Sequence, residues 1–170
     1  MIPQAKNELR RMANMAQENL DHAIHGFLNQ SDEFVDKVYH REEDINNVSH
    51  AITDYLVKSN QLLLPLADQK ILGSMFYVVN DIERIGDHAE NFADYTKTEI
   101  KHNTGLTGDA KEEIKKMYTA VSRLLKLSLE CFMEQDGVNK PEDKLAEIAI
   151  LEASIDKMER RYQKHHIKRL

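Results

Sequence analysis

The sequence predicts an all-α protein built of long antiparallel helices. Three observations carry that prediction. Apolar residues recur at steps of three and four along almost the whole chain, which is the helical period. The 170 residues include only 6 Gly and 3 Pro, and Leu, Ala, Glu and Lys are abundant. The chain is 41% hydrophobic and 31% charged. It therefore has the apolar residues for a real core and the charges for solvated helix faces.

Five helices follow in order. The first is predicted over about 5–30, with Leu9, Met12, Ala16, Leu20, Ala23 and Phe27 inward. The segment QSDEF ends it, and Ser31 or Asp32 is a natural N-cap for the second. That helix extends to about Lys58, with Phe34, Val38, Ile45, Val48, Ile52 and Tyr55 inward. SNQ terminates it. The third is predicted to begin near Pro65, since proline is tolerated in a first turn, and to end near His102. NTGLTGD is the clearest break in the chain, and Thr107 or Asp109 caps a fourth helix ending near Gln135. Asn139 and Pro141 open the fifth, which continues to the C-terminus.

An internal repeat organises these helices. KNELRRM at 6–12 matches KEEIKKM at 111–117, and at the same offset Leu20 matches Leu125, Phe27 matches Phe132 and Gln30 matches Gln135. After a short length change, Glu42 and Asn46 overlie Glu152 and Asp156. The expected domains are 1–104, a three-helix repeat, and 105–170, a second repeat that ends before its third helix. A bundle helix without its partner leaves an apolar stripe, so a homo-oligomer that covers this seam is expected.

Composition also excludes functions. The net charge of −6 argues against a nucleic-acid partner, which would select a basic stripe. Cys131 alone cannot form an internal disulfide and suits a reducing compartment. The longest apolar run, LLLPLA at 62–67, is far below the roughly 18–20 residues of a membrane span, and no secretory signal pattern opens the chain. A cytoplasmic protein is expected.

The stretch NDIERIGDHAENFADYT, at 80–96, carries the chemistry. At about 100° per residue, Met75, Val78, Ile82, Ile85, Ala89 and Phe92 form one face. Glu83, Asp87, Glu90 and Asp94 stack along a second line at i, i+4, i+7 and i+11. Like charges at this spacing repel by a few tenths of a kcal/mol per pair. Oxygen-rich lines of this sort suit hard divalent cations or oxidised iron. Glu42 with Asn46, and Glu152 with Asp156, form i,i+4 pairs on the flanks of their helices and can approach such a line. A solvated acidic face is the competing reading.

VVNDIERIGDHAENFADY, at 78–95, resembles the signature of the PhoU family of phosphate-uptake regulators, built from three-helix repeats with an ExxxD pattern. Glu83 with Asp87 and Glu152 with Asp156 match that pattern; in Glu42 with Asn46 an amide replaces the acid. ELRRMANMA, ITDYL and HHIKRL are similar to the PhoU-like cytoplasmic region that follows the membrane domain of bacterial sodium/phosphate cotransporters. The resemblance implies a non-catalytic regulatory domain of phosphate uptake at the inner face of the cell membrane. It implies a membrane phosphate-transporter domain as partner. It also implies divalent or iron cations on the acidic patches, with Glu83, Asp87, Glu90, Glu42, Glu152 and Asp156 as the ligand set. A metal-dependent enzyme using the same carboxylates, or a purely structural helical adaptor, are the alternatives.

Other candidates are weaker. His22 and His25 lie three apart on the first helix and read as surface residues. Glu99 with His102 is the one Glu-x-x-His pair found, where a di-iron bundle needs two. GLTG lacks the lysine and spacing of a phosphate loop.

Overall fold

A computed structural model describes residues 1–134 and 142–169. Every regular element among them is helical: α1 (Ile2–Asn29), α2 (Val35–Asn60), α3 (Leu66–His102), α4 (Gly108–Glu134) and α5 (Glu142–Arg169). The predicted end of the fourth helix at Gln135, and Asn139 and Pro141 as the start of the fifth, lie outside the described residues. None of these helices is long and apolar enough to cross a membrane.

The chain divides into two compact units, Met1–Gly105 and Leu106–Leu170. In the first, α1, α2 and α3 all pack on one another. The short connections make α2 antiparallel to both neighbours. Leu9, Met12 and Ala16 of α1, Val38, Ile45 and Leu56 of α2, and Leu72, Met75, Val79 and Ala89 of α3 are fully buried. α1 ends in the left-handed conformation at Gln30 (φ 51°), where the Ser31 N–H donates to the Gly26 carbonyl at 3.0 Å. A side chain at Gly26 would meet that Ser31 carbonyl oxygen at 2.9 Å, so the turn requires glycine there. The Gln30 amide then donates to the Thr104 carbonyl at 2.5 Å, which ties the end of α1 to the end of α3.

Helix starts differ from expectation at two points. α1 begins at Ile2, ahead of the expected start near Ala5. α2 begins at Val35 with Phe34 as N-cap, two or three residues beyond the expected cap at Asp32 or Ser31. Ser31 instead accepts a hydrogen bond from the Glu33 N–H at 3.3 Å and shapes the preceding turn. Pro65 stands at the N-cap of α3, and Thr107 accepts from the Ala110 N–H at 3.3 Å ahead of α4.

In the second unit α4 and α5 form a hairpin. Leu127 is its one buried apolar side chain among the described residues, at 2% exposure. Ile114, Met117, Leu125 and Phe132, the repeat counterparts of Leu9, Met12, Leu20 and Phe27, remain half-exposed. Arg123–Glu147 at 2.9 Å, Lys144–Glu130 at 3.1 Å and Lys144–Glu134 at 2.6 Å bridge the two helices. Exposed pairs of this kind each contribute about 0–1 kcal/mol. The physical reason for the contrast between units is simple. Two helices cannot enclose a stripe that three can.

Candidate functional site

α3 is rotated from the expected setting by part of a turn. Its buried line is Leu72, Met75, Val79, Ile82, Gly86, Ala89, Ala93 and Thr96. Val78, Ile85 and Phe92, expected inward, are half-buried flanks. The rotation brings Gly86 to the core, against α2.

Glu42 fills the space that Gly86 leaves. On α2 the buried line runs through Val35, Val38, Glu42, Ile45, Ser49, Ile52 and Leu56. Glu42 was expected on the flank of this stripe; it belongs to its centre, with 4% exposure. A β-carbon added to Gly86 would overlap the Glu42 carboxylate and come within 3.1 Å of its Cδ. Glycine in a helix interior costs about 0.5–1 kcal/mol relative to alanine. Here that cost opens a notch for one carboxyl group. Next to it, the buried Asn19 amide of α1 donates to the Val38 carbonyl at 3.0 Å, one turn before Glu42.

Both Glu42 carboxylate oxygens are buried, and neither has a hydrogen-bond partner among the described residues. Burial pushes its acidity up first, and the charges of Asp87, Glu90 and Glu83 add to it, raising the group from 4.5 to about 7. The structure thus joins Glu42 electrostatically to three of the four row carboxylates. Glu83 is half-buried and Asp87 and Glu90 are exposed. Asp94, the fourth, is committed elsewhere: the Tyr39 hydroxyl donates to it at 2.5 Å. Burial, that bond and the charges of Asp94, Glu90 and Asp36 push the Tyr39 hydroxyl up to about 12. The Lys97 amino group lies 5.2 Å over the Tyr39 ring and closes this end of the row.

Glu152 and Asp156 lie exposed on α5, in the other unit. Among the described residues, no group of three or more His, Cys, Asp and Glu side chains is gathered closely enough to hold a metal ion. The Glu42 cluster has the donor type a hard cation takes, without the side chains being gathered into a binding geometry. Its buried oxygens lack donors, and its neighbours are carboxylates.

The two histidines of α1 pack on Phe34, with ring centroids 4.8 Å away for His22 and 5.7 Å for His25. His22 Nε2 faces the Lys37 ammonium at 3.1 Å, and Nδ1 faces the Glu18 carbonyl at 2.7 Å. A neutral ring that accepts from Lys37 and donates to Glu18 satisfies both contacts. His102 Nδ1 contacts the Thr98 carbonyl at 3.0 Å in the last turns of α3.

Gly86 is the residue that sequence reasoning passed over. A glycine inside a strong helical period, far from either end, signals close packing. Gly86→Ala should drive the Glu42 carboxyl out of its notch. Urea unfolding from pH 5 to pH 8 should show a flatter fall in stability than the parent chain, because Glu42 no longer ionises in a buried site; an unchanged fall would mean that the notch does not hold the carboxyl.

Comparison with known proteins follows the same residues. The PhoU domain family matches residues 9–96, the segment that contains Glu42, Gly86 and the acidic row. The phosphate-specific transport system accessory protein PhoU homolog of Clostridium acetobutylicum is 22% identical over 162 residues, 94% of this chain and 70% of that protein. A homolog of the same description from Aquifex aeolicus is 28% identical over 94 residues, 55% of this chain and 42% of that protein. No solved structure matches the chain.

Proposed function

This chain belongs to the PhoU domain family, and from that premise we propose that it is a non-catalytic regulator of phosphate uptake. Its partner is a membrane phosphate transporter, and it works at the cytoplasmic face of the membrane. The relatives' description as accessory proteins of phosphate-specific transport supports this reading. The resemblance of ELRRMANMA, ITDYL and HHIKRL to the cytoplasmic region of sodium/phosphate cotransporters favours a transporter of that class. Copies of the chain associate through the half-exposed α4–α5 stripe.

The observation that carries the proposed mechanism is the buried Glu42 carboxylate, without a partner and beside an acidic row. Glu42, Glu83, Asp87 and Glu90 would hold a divalent or iron cation. Such a cation supplies positive charge that lets all four carboxylates ionise together. The chain's own contribution is to keep Glu42 dry in the Gly86 notch and to hold Asp94 away through Tyr39. Drawing the exposed Asp87 and Glu90 toward Glu42 changes the α2–α3 surface offered to the transporter. Glu152 and Asp156 form a second, more open patch. Phosphate does not bind the bare carboxylates, because like charges repel; it reaches the patch only across a bound cation.

Manganese added to chelator-treated protein at pH 7.5 should raise the melting temperature by several degrees. The rise should vanish in Glu42→Gln and shrink in Asp87→Asn. Equal melting with and without manganese and iron would remove the cation from the mechanism. The fold would then be left as a helical adaptor, a reading favoured by the separation of the ligand groups. Micromolar phosphate binding by the metal-free protein would overturn the like-charge argument. Metal-dependent phosphoester turnover lost in Glu83→Gln would make the chain an enzyme.

A further inference from the structure

The last turns of α5 carry a cationic stripe. Lys157, Arg160, Arg161, Lys164 and Lys168 are all exposed there, interrupted by a single acid, Glu159. At about 100° per residue the five fall within roughly 100° of the helix circumference, along about 17 Å of its length. Glu159 falls instead on the line of Glu152 and Asp156. Leu151, Ile155, Met158, Tyr162 and His165 are half-buried and mark the side of α5 turned to α4, where His165 bonds Glu113. The stripe lies beside that seam, on the open face of the hairpin.

These cations are not matched inside the unit. Arg123 and Lys144 have carboxylate partners across the hairpin. Among the described residues none of Lys157, Arg160, Lys164 and Lys168 is paired with a carboxylate. A helix C-terminus favours cations in its last turn only, and Lys157, Arg160 and Arg161 stand earlier than that in a helix that ends at Arg169. Asp109, Glu112 and Glu113 of α4 border a polar recess next to Arg161 and Lys168. Lys111, Lys115 and Lys116 equal them in number along the same turns of α4. The net charge is unevenly placed as well. Residues 1–105 hold 10 Lys and Arg against 17 Asp and Glu, whereas residues 106–170 hold 13 against 12. At physiological salt, exposed charges more than about 8 Å apart are screened from each other. The local stripe, not the sum over the chain, therefore sets what docks on it.

We propose that this stripe docks the chain on an anionic phospholipid surface: the five cations lie on headgroup phosphates, and Ile167 enters the boundary with the acyl chains. Ile167 is 70% exposed and adjoins Arg160 and Lys164 on the helix surface. Lysine and arginine flanking an exposed apolar side chain is the composition of a helix that lies in a membrane interface. The cytoplasmic leaflet supplies the complementary charge. A nucleic-acid backbone would also attract the stripe, but it offers Ile167 no apolar partner. The inference rests on the membrane-face part of the regulatory reading and goes beyond it, since the lipid itself, and not only the transporter, becomes a partner.

Flotation of the full chain with vesicles of phosphatidylcholine and phosphatidylglycerol in equal parts, beside vesicles of phosphatidylcholine alone, tests it. Binding should be at least tenfold tighter to the mixed vesicles and should disappear at about 1 M salt, where the screening length falls to about 3 Å. Lys157→Gln, Arg160→Gln and Lys164→Gln together should weaken it at least tenfold, and Ile167→Ser alone severalfold. These side chains are exposed, so circular dichroism should not change. Lys58→Gln, Lys70→Gln and Lys101→Gln remove the same charge from exposed positions of the first unit and should alter binding less than twofold. Equal binding to both vesicles overturns the proposal. So does a stripe variant that binds like the parent, or an equal loss in the first-unit variant. Retention of a DNA duplex in place of vesicles, lost in the stripe variant, would assign the stripe to nucleic acid. No transporter is present in these vesicles, so failure strikes the lipid contact alone. The regulatory reading fails separately, if phosphate uptake by a reconstituted transporter is indifferent to the chain.

Discussion

Glu42→Gln should stabilise the Met1–Gly105 unit by about 2–3 kcal/mol at pH 8 and leave it nearly unchanged at pH 5. The native Glu42 carboxyl keeps its proton up to about pH 7, because it is buried and faces Asp87, Glu90 and Glu83. In the unfolded chain the same group ionises near 4.5. Between those values the native state binds more protons than the unfolded state. Stability contributed by this group therefore falls as pH rises from about 4.5 to about 7, and stays at its low level above 7. Glutamine has the same shape and no charge to desolvate, so its curve lacks that fall. Urea titrations of both proteins from pH 4.5 to pH 8.5, without divalent cations, give the comparison directly. Parallel curves would show that water or an alternative rotamer reaches the carboxylate and would dismantle the argument for a buried, poised ligand.

Amide exchange should separate the two units just as sharply. The interiors of α1, α2 and α3 should exchange at least about a hundredfold more slowly than those of α4 and α5 at low protein concentration. The first unit encloses Leu9, Met12, Ile45, Leu56, Leu72 and Met75 with no exposure, whereas the hairpin buries Leu127. Isolated helices of this length are marginal in water, and most of their stability comes from packing an apolar face. The ion pairs of Lys144 and Arg123 add little. Mass-spectrometric exchange at 1 µM and at 200 µM checks this. Equal protection in both units at 1 µM would mean that the α4–α5 stripe is covered in solution. A protection of α4 and α5 that grows with concentration would identify another copy as the cover.

Much of the helical plan was legible in residue order. Period, caps and breaks located five helices, and the ends of α1 and α3 lie within a residue of expectation, because NQSD and HNTG are strong local stop signals. The start of α2 was misplaced because Ser31 and Asp32 look like caps locally, while Phe34 is drawn between His22 and His25. The side chains of the acidic row were nameable in advance; their inequality was not. Glu42, paired with Asn46 on the flank of its stripe, looked equivalent to Glu152 on α5. Only the approach of α3, with a glycine at the contact, makes it the least hydrated carboxylate of the group.

By itself, the order of residues determined that this chain is helical, where its helices break, and which carboxylates share a line on α3. Those are consequences of local geometry, since a helix repeats every 3.6 residues whatever surrounds it. Tertiary structure alone decided that Gly86 faces Glu42, that Asp94 is bound to Tyr39, and that one unit closes around its core while the other leaves its stripe half in water. The rotation of each helix about its own axis is set by how neighbouring side chains interlock, and that choice is shared by three helices at once.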